Sequence, residues 1–69
     1  MLAPGIAGYT VVIRVDDSGT FVAHAPALDG CHAWGKTAAG ARARLDDVFT
    51  MIVEEHAEAG RPLPPDINA

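Results

Sequence analysis

Apolar and polar positions change period once along this chain, and the change divides it. Tyr9, Val11, Ile13 and Val15 alternate with Thr10, Val12 and Arg14, the two-residue period of a strand rich in β-branched and aromatic side chains. Asp16-Asp17-Ser18-Gly19 then supplies side chains that bond nearby backbone and a glycine able to take positive φ, as a tight hairpin requires. A second strand is predicted from Thr20 to Ala25, with Phe21, Ala23 and Ala25 on one face. Pro26 cannot donate to a ladder, so it ends that strand or occupies an edge. Leu28-Asp29-Gly30 reads as a turn, and Cys31 to Trp34 as a short third strand closed by Gly35. A three-stranded antiparallel meander is the simplest assembly of these pieces.

From Thr37 the period lengthens. Ala38, Ala41, Leu45, Val48, Phe49, Ile52 and His56 recur at spacings of three or four, the pattern of an amphipathic helix. Thr37 suits the N-cap, where its hydroxyl accepts from an unpaired first-turn amide, although Gly40 stands where a capping-box Glu would sit. Gly60 stops the helix, and Pro62, Pro64 and Pro65 prevent its continuation and turn the chain back towards the sheet. Asp66-Ile67-Asn68-Ala69 either adds a very short edge strand or frays. The expected fold is α+β, with residues 1–69 forming a single domain: a three-stranded meander and one long helix, with a short fourth strand after it where the tail pairs rather than frays.

Composition narrows what such a domain can do. At 69 residues the chain buries only about 60% of its unfolded surface, so a homodimer or homotetramer is expected to supply further stability. A net charge of -4 with five Lys and Arg residues argues against direct nucleic-acid binding, which needs clustered cations, and suits a basic protein partner. Cys31 is the single cysteine, so no internal disulfide forms, which favours a reducing compartment. No stretch is long and apolar enough to span a bilayer, and the amino terminus lacks the pattern of a secretory signal. A cytoplasmic protein is the resulting expectation.

The candidate chemistry is thin. His24, Cys31 and His32 are zinc-ligand types, yet a structural site needs about four ligands and one cysteine offers no recurring pair. Adjacent strand residues point to opposite faces, so Cys31 and His32 cannot easily share a proton as a nucleophile pair. Asp16 and Asp17 fit a hairpin turn, while Asp46, Asp47, Glu54, Glu55 and Glu58 fall mainly on the solvent side of the helix. Trp34 either covers the small core or its rim, or is exposed as a binding anchor; packing is the expected use. No catalytic, cofactor-binding or metal-ligating residue is expected.

The ordered set Tyr9-Thr10-Val11-Val12-Ile13, a turn ending in Gly19, Phe21-Val22-Ala23, Pro26-Ala27-Leu28-Asp29-Gly30-Cys31, Trp34-Gly35-Lys36-Thr37 and Pro62-Leu63-Pro64 resembles the HicB family of antitoxins. The resemblance spans nearly the whole chain. It implies a β-β-β-α-β domain, a partial ribonuclease-H-like fold without catalysis. It also implies a partner, a small basic HicA-type toxin that cleaves RNA and whose catalytic histidine the antitoxin covers. Many members carry a carboxy-terminal DNA-binding module; this chain stops after its Pro-rich segment, so direct DNA binding is not expected. The family's usual acidic residues at the helix start are replaced by Ala39 and Gly40. Three functions follow for comparison: an antitoxin acting by occlusion, a homo-oligomeric domain with another protein-binding or regulatory role, and a residual nuclease. Candidate contact residues are the acidic helix face and the loop around Asp29.

Overall fold

A computed structural model describing residues 2–67 contains one four-stranded antiparallel sheet and one helix. The elements are β1 (Leu2–Ile6), β2 (Tyr9–Val15), β3 (Phe21–His24), β4 (His32–Gly35) and α1 (Ala38–Ala59). The strands pair in chain order, β1-β2-β3-β4, and α1 covers one face. The α+β class and the strands beginning at Tyr9, around Phe21 and around His32 agree with the sequence pattern.

The fourth strand is not where the sequence places it. It precedes the others, as β1, and Asp66 and Ile67 form no strand; Asn68 and Ala69 lie outside the described residues. β1 carries Pro4 and Gly5, residues that normally weaken a strand and that belong at edges and bulges. Its register shifts between Ala3, opposite Val11, and Ile6, opposite Tyr9. Two residues, Pro4 and Gly5, therefore oppose Thr10 alone, which is a β-bulge. A Cβ on Gly5 would sit 2.6 Å from the Tyr9 carbonyl oxygen, so no larger residue fits there. The connecting turn places both Ala7 (φ 48) and Gly8 (φ 90) at positive φ, as two-residue hairpins of the primed type require.

The carboxy-terminal segment returns to the sheet by side-chain bonds. The Thr10 N–H donates to Asp66 Oδ1 at 2.9 Å and the Thr10 hydroxyl to Oδ2 at 2.8 Å. The Tyr9 hydroxyl donates to the Pro64 carbonyl. The Pro-rich segment thus turns back towards the sheet as expected, with a carboxylate where a strand was anticipated.

α1 begins and ends at the expected caps. Thr37 Oγ1 accepts from the Gly40 N–H at 2.9 Å, and Gly60 takes the left-handed conformation at φ 68. The core combines Val11, Ile13, Leu28, Cys31, Leu45 and Ile52 with the small residues Ala23, Ala25, Ala33 and Ala41, all buried. Tyr9, Phe21, Val48, Phe49 and Leu63 close its rim. Small residues at the seam let the helix lie close to the sheet. The tightest point is Gly35, where an added Cβ would stand 2.5 Å from the Ala41 nitrogen.

The β2–β3 hairpin is held by Asp16. Its Oδ1 accepts from the Ser18 hydroxyl at 2.7 Å, the Ser18 N–H at 2.9 Å and the Thr20 N–H at 3.0 Å, and Gly19 takes φ 85. The Ser18 hydroxyl, then the Thr20 and other turn amides, hold the Asp16 carboxyl below its ordinary pKa.

Two outcomes follow. Gly35→Ala is expected to lower stability by about 2–3 kcal/mol, because backbone atoms rather than a movable side chain occupy the space; a thermal melt should drop by roughly 10 °C, and an unchanged melt would refute the close approach. For Asp16, the folded pKa lies below the unfolded one, so its stabilising contribution is present above the ordinary carboxylate pKa of about 3.9 and is lost as pH falls through the folded value. An NMR titration of its carboxyl carbon should show a midpoint below the ordinary carboxylate value of about 3.9, and a midpoint above it would contradict the turn geometry.

Candidate interaction surface

Strand register arranges the face turned away from α1. Val12 stands opposite His24, and His24 opposite His32; Arg14 stands opposite Val22, and Val22 opposite Trp34. Two cross-strand rows result, Val12–His24–His32 and Arg14–Val22–Trp34. The His32 and Trp34 rings meet edge to face with centroids 4.9 Å apart.

Trp34 does not cover the core. It is 52% exposed, because Cys31 and Ala33 point inward and the two-residue period sends His32 and Trp34 outward. The expectation of core packing is corrected on that ground. The signal was present in the sequence: a small residue, Ala33, sits between two large ones.

The same alternation separates the three metal-ligand types. Cys31 is buried in the core, and burial pushes its thiol pKa up, which leaves a protonated, unreactive sulfur. His24 and His32 lie on the opposite face. Among the described residues no group of three or more His, Cys, Asp or Glu side chains converges. Asp16 and Asp17 lie in the hairpin turn, and Asp46, Asp47, Glu54, Glu55 and Glu58 are all exposed along α1.

One convergence does occur. The loop from Ala25 to Cys31 is folded by bonds from the Leu28 N–H to the Ala25 carbonyl (3.0 Å) and from the Cys31 N–H to the Leu28 carbonyl (3.2 Å), with Leu28 buried as its anchor. This arrangement brings Asp29 to a hollow of about 300 Å³ shared with Glu55, His56 and Arg61, over Leu28 and Ile52. His56 Nδ1 lies 2.9 Å from the Ile52 carbonyl oxygen; a carbonyl only accepts, so this nitrogen carries the proton. The loop and the acidic helix face, separate candidates in the sequence, therefore meet. Sequence reasoning missed His56 and Arg61 here, since His56 reads as the end of the apolar stripe and Arg61 follows the Gly60 cap.

A second region has the opposite charge. Beside β4, Trp34 and Arg44 border two adjoining hollows, one reaching Lys36, Thr20 and Thr37, the other His32, Asp47 and Val48. No helix among the described residues is long and apolar enough to cross a membrane.

The sequence is 33% identical over 58 residues to the UPF0150 protein Ta0767 of Thermoplasma acidophilum, a match that covers 84% of this chain and 84% of that one. No family model and no solved structure matches it. With that identity over most of both chains, the chain belongs to the UPF0150 family.

Proposed function

We propose that this chain is a HicB-like antitoxin that binds and occludes a small basic HicA-type toxin, an RNA-cleaving protein. It acts in the cytoplasm through a surface, with no reaction of its own, on a domain of reduced ribonuclease-H-like descent. The observation that carries the reading is the meeting of Asp29 with Glu55 on one hollow, beside His56 and Arg61, on a helix whose Glu54 and Glu58 are also exposed. Carboxylates supplied by two elements give a basic partner both steering charge and a fixed recess. The ordered motifs shared with HicB antitoxins support the same reading.

A second reading, a homo-oligomeric domain with another binding or regulatory role, draws on β4. That strand ends the sheet and pairs with β3 alone, so its outer edge is open to another strand beside Trp34. In-plane addition of the same strand from a second copy fills that edge and gives a two-fold dimer able to assemble into a tetramer. Oligomerisation accompanies either function.

Co-expression with a HicA-type toxin encoded beside this chain should relieve growth arrest. The double substitution Asp29→Lys, Glu55→Lys should weaken binding by about tenfold or more and flatten its salt dependence. Absence of relief sinks the antitoxin reading; relief with undiminished binding moves the interface elsewhere. Sedimentation at micromolar concentration should show a dimer or tetramer, and a stable monomer would remove the strand-addition reading.

A further inference from the structure

We infer that His24 and His32 form a two-imidazole chelate for a divalent first-row transition-metal ion on the open face of the sheet. The argument starts from the phase of the β3–β4 ladder. The Ala25 N–H donates to the Cys31 carbonyl at 3.0 Å, which gives Ala25 and Cys31 the phase of a hydrogen-bonded pair, although the Cys31 N–H itself goes to the Leu28 carbonyl. Antiparallel pairs alternate, so the next pair, His24 and His32, occupies a non-hydrogen-bonded position. At such positions the side chains stand closest, with Cβ atoms about 4.5–5.5 Å apart. Two imidazoles at that spacing can each direct one nitrogen to a common ion at about 2.0–2.1 Å.

Metals bind neutral imidazole, and the neighbour in the row is the apolar Val12. Neither ring takes part in a described hydrogen bond that would have to break. The His32 ring meets the edge of Trp34, two residues along the same strand. Arg14, one row away beside Val22, is not a ligand type, and the Asp66 carboxylate is engaged by the Thr10 N–H and hydroxyl. Cys31, the chain's strongest competing donor, is buried on the other side. Imidazole pairs suit Zn²⁺, Ni²⁺ and Cu²⁺, with Cu²⁺ the tightest, and water completes the coordination. Strand addition at the β4 edge extends the sheet in its plane, so it leaves this face open.

Trp34 makes the site observable. It is the chain's single tryptophan and touches one of the two rings, so Cu²⁺ or Ni²⁺ held there will quench its fluorescence. The test uses untagged full-length protein titrated with Ni²⁺ at pH 7.5. Expected is saturable quenching with one ion per His pair, reversed by excess Zn²⁺, which does not quench. His24→Ala and His32→Ala should each weaken binding by about tenfold or more, since each removes the chelate, while His56→Ala should leave it unchanged. His24→Gln and His32→Gln, checked for unchanged melting, serve if either alanine variant misfolds. Single variants that bind as tightly as the wild type, or quenching that rises linearly without saturation, would overturn the chelate.

Discussion

Helix α1 can lie on the sheet only because Gly35 presents no side chain where β4 passes beneath Gly40 and Ala41. That approach fixes the distance between the two layers, and the interior follows from it. A narrow gap admits alanines at Ala23, Ala33 and Ala41 and leaves large side chains such as Leu45 and Val11 to fill the remainder. It also sets the helix's first turn beside the end of β4, so Thr37 can cap it while Lys36 and Arg44 gather near Trp34. Apolar area buried in so thin an interior is limited, and a domain of this size is correspondingly marginal alone.

Periodicity made most of this architecture readable. Val11 and Ile13, Ala23 and Ala25, and the Ala41, Leu45 and Ile52 positions are buried as their spacing implies, and both helix caps stand where the residue chemistry put them. β1 was hidden because Pro4 and Gly5 erase the alternation by which a strand is recognised, and the bulge that accommodates them is visible only through its partner strand. The return of the chain at Asp66 was hidden for another reason: a carboxylate that bonds Thr10 leaves no periodic trace. The meeting of Asp29 with Glu55 depends on the path of the Ala25–Cys31 loop, which turn residues announce without specifying.

The surface divides chemically in a way the net charge conceals. Acidic groups collect where the loop meets the far half of α1, while Lys36 and Arg44 lie near its start. The sheet's open face carries mainly Val12, Val22, His24, His32 and Trp34, with Arg14 in one of its rows. The three contacts proposed above, charge-steered docking, edge pairing and metal coordination, would thus use the loop and helix, the backbone of β4 and the side chains on the sheet's open face, with His32 common to the last two.

The bonds from Thr10 to Asp66 join positions 56 apart, whereas every strand pairing joins sequence neighbours. Hairpins and helix can thus form from local encounters, but closing this ring carries the largest chain-entropy penalty in the fold. On that ground the carboxy-terminal strap is expected to close after the hairpins and helix. Its release would uncover the bulge opposite Thr10 while the rest of the sheet stays intact, so the amide of Thr10 exchanges with solvent on its own timescale.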